Sequence, residues 1–274
     1  MPSLNTIAPD KLVRLIGTSG APVIVDVRRN RDSTSVPNAL PLDSARVEHW
    51  AARLRTASVV VVDEDGQSSA QGVAAWLRTE GFAAEALDGG HAAWRSAGLP
   101  LLDVGKLPPR DGEGRTVWVT RARPKVDRIA CPWLIRRFVD PNARFLYVPA
   151  GDVVRVAGER GAAAFDLADE AVFWTHRGDR CTFDLMVDTF GLGDFAGIDY
   201  LSSIVRGADT DRPDLAPEAA GLLALSLGLS RMYADDLEQL EAGMLVYDAL
   251  YRWCRDARGE THDWTSHKPR AVRA

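Results

Sequence analysis

The stretch that decides the fold of the first half is residues 59–82, VVVVDEDGQSSAQGVAAWLRTEGF. It opens on an apolar run without polar alternation, which is typical of a central parallel strand that is covered on both faces. An acidic loop follows, and residues 69–80 then predict a helix that Gly81 ends in a C′-like position. A strand, a loop and a helix in this order indicate an α/β domain.

The sequence before this stretch shows the same alternation. Residues 22–28, PVIVDVR, are β-branched and strand-like. Residues 43–54 place Val47, Trp50 and Leu54 at spacings of three and four, which predicts a helix. Alternating strands and helices predict that the first half is α/β with a parallel sheet.

Residues 102–116 mark a boundary, because they concentrate Gly, Pro and charge and have no apolar period. We expect a first domain at residues 5–104 and a second at residues 116–260. The second half predicts a mixed α/β (α+β) domain that ends in helices. Its predicted strands are residues 116–121, 144–148 and 170–174, and its predicted helices are residues 132–140, 216–229 and from about 236 onward.

Composition narrows the class of protein. The net charge is −5, from 33 Lys and Arg against 38 Asp and Glu, which argues against a general nucleic-acid binder. No apolar run approaches the roughly 20 residues of a membrane helix, and the first residues lack the pattern of a signal peptide. The chain has only three cysteines, which are too few for a disulfide framework, and their number is odd. We therefore expect reduced thiols and a cytoplasmic protein.

Four segments of the first half occur in an order that resembles a rhodanese-like domain over roughly residues 8–103. They are VIVDVR (23–28), VPNALPL (36–42), the stretch at 59–82, and LDGGHAAW (87–94). The resemblance implies a catalytic cysteine directly after the central strand, where it would carry a persulfide. This chain has Asp63 there, while Gly66 and Ser69 keep the spacing of the loop.

A carboxylate cannot carry a transferable sulfur, and no other cysteine lies within residues 1–130. We therefore expect no sulfurtransferase activity from the first half. Asp63 is expected to accept hydrogen bonds from the loop amides at the start of the helix. The predicted role of this domain is that of a scaffold, a docking face or an oligomerisation module.

The second half resembles the C-terminal domain of chromate-resistance proteins of the ChrB type. The resemblance rests on WVTRARPKVDRIACPWLIRRFVDPNARFLYVP (118–149), HRGDRCTFD (176–184), IVRGADT (204–210) and APEAAGLLALSLGL (216–229). It implies a role in chromate resistance or in sensing chromate. It also implies a link to the control of chromate-efflux genes.

A basic segment at residues 106–137 carries nine Lys or Arg and three acidic residues, a local charge of +6. A helix predicted to start at Pro132 would place Cys131 near its N-cap, where the helix dipole and nearby cations lower a thiol pKa. Such a pocket suits a dianionic oxidant such as chromate. The catalytic candidates are therefore Cys131, Asp127 and Arg128, and the anion-binding candidates are Arg121, Arg123, Lys125 and Arg128. The alternative is a buried structural thiol beside a solvated basic face.

A metal site is the second possibility. Histidine, thiol and carboxylate ligand types cluster at His176, Cys181, Asp184 and Asp188. RCTFD (180–184) suggests a strand, which would point Cys181 and Asp184 to opposite faces.

The ChrB pattern often carries an acidic residue where this chain has Phe173 and a histidine where it has Arg206. His176 and Asp209 are then the best candidate ligands for a divalent metal cofactor, with Asp127 as a possible third. A purely structural, hydrogen-bonding histidine is the alternative.

Four functions remain open on these grounds. The first is a cytoplasmic chromate-response protein whose C-terminal domain binds an oxyanion or a metal. The second is a transcriptional regulator of a chromate-efflux operon, although no helix-turn-helix pattern flanks the basic segment. The third is a metal-dependent oxidoreductase built around His176, and the fourth is a binding module without chemistry. The expected partners are a small oxyanion and a protein partner or second copy, with no membrane.

Overall fold

The computed structural model describes residues 5–54, 58–169 and 171–261. The strands of the first half are β1 (Thr6–Ile7), β2 (Val23–Asp26), β3 (Thr34–Ser35), β4 (Ala39–Pro41), β5 (Val59–Val62), β6 (Ala84–Leu87) and β7 (Leu102–Asp103). Five of them form a parallel sheet in the order β1-β6-β5-β2-β4. β5 lies at the centre, and each of its four valines is at most 2% exposed, which confirms the predicted central strand.

The helices of the first half are α1 (Pro9–Leu12), α2 (Val47–Ala51), α3 (Ser68–Thr79) and α4 (Gly90–Ser96). α3 agrees with the predicted helix to within one residue at each end. The helix predicted over residues 43–54 is shorter, because a 3-10 turn at Ser44–Arg46 precedes α2. Asp43 favours this tight turn, since its carboxylate accepts the backbone N–H of Ala45 at 2.9 Å.

The second half contains the strands β8 (Val117–Arg121), β9 (Arg144–Val148) and β10 (Ala163–Ala164), which form a parallel sheet in the order β10-β8-β9. Its helices are α5 (Asp127–Leu134), α6 (Val153–Arg160), α7 (Thr182–Thr189), α8 (Ile198–Asp209), α9 (Ala219–Met232) and α10 (Asp236–Asp256). The mixed α/β class and the helical end are as predicted. None of the helices in the described ranges combines the length and the apolarity that crossing a membrane requires.

Helix α5 begins at Asp127, five residues before the predicted start, and Pro132 lies inside it. A proline at this position lacks the N–H that would donate to the carbonyl of Arg128. That carbonyl instead accepts the hydroxyl of Tyr147 at 2.9 Å. The chain then continues into a π turn at Ile135–Val139. The sequence misplaced the start because proline usually marks the first turn of a helix.

The strand predicted for residues 180–184 is also wrong. Cys181 is the N-cap of α7, and the Asp184 carboxylate accepts its backbone N–H at 3.1 Å, as in a capping box. The strand predicted for residues 170–174 reduces, among the residues described, to one isolated bridge between Phe165 and Trp174. Glu170 lies outside the described residues.

The two halves share one hydrophobic core. Ile16 of the first half lies in the same buried cluster as Phe138 and Tyr251 of the second. The backbone N–H of Asn38 donates to the carbonyl of Phe138 across the junction at 2.8 Å. Gly17 has a φ of +81°, and a Cβ on it would overlap the Phe138 ring and lie 2.9 Å from Tyr251. The junction is therefore a packed interior.

Candidate metal centre

Four separate elements bring polar side chains to one point in the second half. Asp127 opens α5, Asp166 follows β10, His176 lies in the loop before α7, and Asp209 ends α8. The Nε2 atom of His176 lies 3.6 Å from Asp127 Oδ2, 3.3 Å from Asp166 Oδ1 and 3.0 Å from Asp209 Oδ2. Ligand atoms of Asp127, Asp166 and His176 all lie within 4.8 Å of one another, as atoms that share one metal ion do. We call these four residues the carboxylate centre.

Asp127 is the most constrained member of the carboxylate centre. It is completely buried, and its Oδ2 accepts the backbone N–H of Phe183 at 3.2 Å. Its Oδ1 is buried without a hydrogen-bond partner among the described residues. Burial raises the pKa of Asp127 well above its ordinary value, and the carboxylates of Asp209 and Asp166 add to this effect. The site therefore disfavours a charge on Asp127 unless a cation balances it.

Asp166 has the opposite electrostatic environment. Its Oδ2 lies 3.3 Å from Arg121 Nη2 and 3.2 Å from Arg128 Nε, and its Oδ1 accepts the hydroxyl of Thr182 at 3.3 Å. Burial opposes the charge on Asp166, but His176 and the two guanidinium groups outweigh it and lower the pKa of Asp166. Asp166 is therefore an ionised carboxylate at neutral pH.

His176 forms the open side of the carboxylate centre, since 41% of its side chain is exposed. Its contacts with Asp166 and Asp209 raise its pKa to about 10. Without a bound ion the imidazole therefore carries a proton at neutral pH. A metal ion could take the place of that proton, because it also supplies positive charge to the same carboxylates.

Two strained backbone conformations lie at or next to the carboxylate centre. Val126, directly before Asp127, has a φ of +28°, and Asp166 itself has a φ of +50°. A positive φ is rare for a β-branched residue. Strained backbone persists where the surrounding structure holds it, and it collects at ligand and catalytic sites.

Comparison with known proteins identifies the family to which the chain belongs. The sequence profile of the family described as ChrB, C-terminal domain, matches residues 118–254. The Protein ChrB of Cupriavidus metallidurans is 32% identical over 228 residues, which are 76% of this chain and 68% of that protein. The chain belongs to the ChrB family. It is therefore a chromate-resistance-related protein.

The first half of this ChrB-family chain matches the profile of the rhodanese-like domain over residues 8–97. Among solved structures, it is similar to a thiosulfate sulfurtransferase from Pseudomonas aeruginosa, with 27% identity over 37% of this chain and a TM-score of 0.34. This chain spans 20% of that sulfurtransferase. A rhodanese-related protein from Thermoplasma volcanium is 17% identical over 36% of this chain and 97% of that one, with a TM-score of 0.31.

The position of Cys131 corrects the prediction of a reactive thiolate. Cys131 is the fifth residue of α5, where the helix dipole does not favour its charge, and it is completely buried. Burial raises its pKa well above the ordinary value, and the nearby carboxylate of Asp127 adds to the rise. Of the three predicted catalytic residues, only Asp127 and Arg128 lie at the carboxylate centre.

The predicted anion-binding residues divide into two groups. Arg121 and Arg128 contact the carboxylate centre through Asp166. Arg123 instead donates to the carbonyl of Tyr233 at 2.9 Å, and its backbone N–H donates to Asp236. Lys125 is exposed. The structure thus brings two of the four together at one site.

The candidate ligands named from the sequence divide in the same way. His176, Asp209 and Asp127 come together. Cys181 is buried beside Asp127 but is not part of the group of ligand atoms that could share one ion. The two other candidates are engaged elsewhere: Asp184 accepts from Arg206 at 3.2 Å and from the backbone N–H of Cys181, and Asp188 pairs with Arg180.

The sequence reasoning missed Asp166. It follows Phe165 at the carboxyl end of β10, a strand that runs parallel to β8. Residues at the carboxyl ends of parallel strands meet at one edge of a sheet. The signal was weak because β10 has only two residues.

In the first half, the Asp63 carboxylate is buried and accepts two loop amides. Gly66 N–H donates to its Oδ1 at 2.6 Å, and Ala70 N–H donates to its Oδ2 at 2.8 Å. This is the acceptor role predicted for Asp63. Gly66 has a φ of +73°, and a Cβ there would lie 2.5 Å from the Leu87 carbonyl. Ser69 lies half-buried in the first turn of α3.

Proposed function

We propose that this ChrB-family protein is a cytoplasmic chromate-response protein whose C-terminal half binds a divalent metal ion. The ligands are Asp127, Asp166, His176 and Asp209. The observation that carries the proposal is Asp127: a completely buried carboxyl whose Oδ1 has no partner in the described residues, placed beside two further carboxyls and an imidazole. A buried charge is costly unless it is paired or coordinates a metal.

The ligand set favours a particular class of metal. Three carboxylates are hard oxygen donors, which suit Mg²⁺ and Mn²⁺, while one imidazole suits the transition metals. Mn²⁺ and Fe²⁺ meet both preferences. Among the described residues, the ligand atoms that lie close enough together to share one ion come from Asp127, Asp166 and His176, and no thiol belongs to that group. The centre therefore lacks the soft ligands that typify structural zinc sites.

The direct test is calorimetric titration of the tag-free protein with MnCl₂ after treatment with EDTA. We expect one Mn²⁺ per chain at pH 7.5, and loss of that binding in His176→Gln. The exposed His49 supplies the matched control, because His49→Gln should bind Mn²⁺ as the wild type does. Absence of Mn²⁺, Fe²⁺, Mg²⁺ and Zn²⁺ binding by the wild type would contradict the proposal.

The same titration should depend on pH in a defined direction. The raised pKa of His176, about 10, means that the metal must displace a proton at every pH below that value. Affinity for Mn²⁺ should therefore rise as pH rises. We expect a gain of at least about tenfold per pH unit between pH 6.5 and 8.5, because His176 loses one proton and Asp127, whose pKa is also raised, adds to the dependence. A constant affinity over that range would show that His176 is not a ligand.

A second function of the same site is binding of a tetrahedral oxyanion such as chromate. The Nε atom of Arg121 is buried and has no hydrogen-bond partner among the described residues, and the Nε of Arg128 faces Asp166 without an aligned hydrogen bond. Two guanidinium groups with spare donors beside a metal ion form a site for an oxyanion.

Arg121→Gln tests the oxyanion site. In the Mn²⁺-loaded wild type, we expect millimolar chromate and sulfate to raise the melting temperature. Arg121→Gln should lose most of this shift while it keeps Mn²⁺ binding, and the control Lys125→Gln should retain both. An equal loss in Lys125→Gln would indicate non-specific charge attraction instead of a built site.

For the first half, we propose a scaffold role without sulfur transfer. Asp63 occupies the position at which the family carries its nucleophile, and its carboxylate already accepts the loop amides that would stabilise a persulfide anion. Formation of thiocyanate from thiosulfate and cyanide by the purified chain would refute this.

Direct regulation of an operon through DNA receives less support. Most arginines of the basic segment pair with carboxylates of the chain itself, for example Arg110 with Asp140, Arg115 with Asp111, and Arg137 with Asp248. Paired arginines contribute little free charge for phosphate contacts.

The three cysteines are all free and buried, which is compatible with the reducing cytoplasm that we propose.

A further inference from the structure

The backbone before Asp127 is held by side chains from two distant helices. The N–H of Val126 donates to the hydroxyl of Ser226 at 2.9 Å, and the carbonyl of Val126 accepts the hydroxyl of Tyr247 at 3.0 Å. Two residues earlier, the carbonyl of Pro124 accepts the side-chain amide of Gln239 at 2.6 Å. Each polar group of the strained residue is thus bound by a side chain, and the Val126 carbonyl also accepts the backbone N–H groups of Ile129 and Ala130 at 3.0 and 2.8 Å, in the first turn of α5.

These three side chains are unusual for their positions. Gln239 is completely buried, Tyr247 is 2% exposed, and Ser226 is 7% exposed on the inner face of α9. Buried serine and glutamine are costly unless they make hydrogen bonds. On the outer face of the same helix α9, Leu225 is 56% exposed and Leu227 is 42% exposed. A serine on the buried face of a leucine-rich helix therefore needs a reason, and its bond to Val126 supplies one.

Helix α10 is shaped for this contact. Gln239, Gly243 and Tyr247 lie four residues apart and so share one face of the helix. A Cβ on Gly243 would lie 2.5 Å from Cγ2 of Ile129 in α5. Gly243 thus lets α10 approach α5 closely, and this approach brings Gln239 and Tyr247 within reach of residues 124–126.

We propose that Ser226, Gln239 and Tyr247 are positioning residues that aim the Asp127 carboxylate into the carboxylate centre. They hold Val126 at its positive φ, and this backbone conformation directs the first turn of α5 toward His176. The inference rests on the proposed metal site, because its consequence is a correctly placed metal ligand. None of the three side chains is among the proposed ligands.

Tyr247→Phe tests the proposal, since it removes one hydroxyl and keeps the buried ring. We expect the affinity for Mn²⁺ to fall about tenfold, in line with the usual effect of removing a partner that orients a metal ligand. The matched control is Tyr251→Phe, one turn further along α10, whose hydroxyl does not reach Val126. It should bind Mn²⁺ like the wild type. Ser226→Ala should resemble Tyr247→Phe, and Ser226→Thr, which keeps the hydroxyl, should recover affinity.

Two outcomes would overturn the inference. One is an unchanged Mn²⁺ affinity in Tyr247→Phe together with a lower unfolding midpoint in urea, which would make the hydroxyl merely structural. The other comes from the crystal structure of metal-free Tyr247→Phe. We expect Val126 to relax to a negative φ and Asp127 to move away from His176, and an unchanged φ of Val126 would refute the positioning role. This structural measurement remains decisive if the wild type binds no metal, so failure of the metal site and failure of the positioning role can be told apart.

Discussion

Asp127→Asn should raise the melting temperature of the metal-free protein and abolish its response to Mn²⁺. The pKa of Asp127 is raised in the folded chain by burial and by neighbouring carboxylates. Its contribution to stability is therefore full below the unfolded value of 3.8 and is lost as pH rises through the folded pKa. Asparagine is uncharged and has the shape of the protonated acid at every pH. The variant therefore does not lose this stability as pH rises.

The gain at pH 7.5 in EDTA should be measurable, because in a chain of this size each kcal/mol of stability corresponds to roughly 2–4 °C in melting temperature. With excess Mn²⁺, only the wild type should shift upward, because only the wild type gains binding free energy from the metal. Differential scanning calorimetry with and without MnCl₂ measures both effects.

Asp140→Asn provides the matched control. Asp140 is also completely buried, but its carboxylate is satisfied by Arg110 at 3.0 Å and by the N–H and hydroxyl of Thr116 at 2.7 and 2.8 Å. Its replacement should lower stability and leave the response to Mn²⁺ intact. A loss of stability in Asp127→Asn as well would place Asp127 with the ordinary structural carboxylates and would remove the main support for the metal centre.

Gly17→Ala should produce the second large effect, a destabilisation of the whole chain. A residue other than glycine at a φ of +81° costs about 1–2 kcal/mol. The added Cβ would also overlap Phe138, and overpacking of this kind costs about 1–3 kcal/mol. The sum of roughly 2–5 kcal/mol corresponds to a fall of about 10 °C in melting temperature.

Gly81→Ala separates the two contributions. Gly81 also has a positive φ, +88°, but a Cβ there would meet nothing within 4 Å. It should therefore show the backbone cost alone.

Because Gly17 packs against the second half, we expect a single unfolding transition in Gly17→Ala, recorded by tryptophan fluorescence and by circular dichroism together. Separate transitions for the two halves would show that the shared core does not couple them.

The sequence predicted the first half well because its signals are local. The four valines of β5 and the helix that follows need only their neighbours in sequence to reveal a buried strand and an amphipathic helix. Asp63 could be interpreted for the same reason, since the loop and helix whose amides it accepts are adjacent to it.

The carboxylate centre could be predicted only in part. His176, Asp209 and Asp127 are ligand types in a recognisable segment, but Asp166 follows a strand of two residues, which is too short for a periodic signal. Pro132 indicated a start of α5 five residues too late, and the true start follows Val126, which adopts a conformation that its own side chain disfavours. Contacts from helices about 100 residues away in sequence impose it, and no local pattern encodes such contacts.

Pro132 has a consequence for how the carboxylate centre is held. Since it leaves the Arg128 carbonyl without an N–H donor from its own helix, that carbonyl accepts the Tyr147 hydroxyl, and the opening turn of α5 is hydrogen-bonded directly to strand β9. β9 in turn pairs with β8. The position of Arg128 beside Asp166 therefore depends on the packing of the small sheet as well as on the helix that carries it.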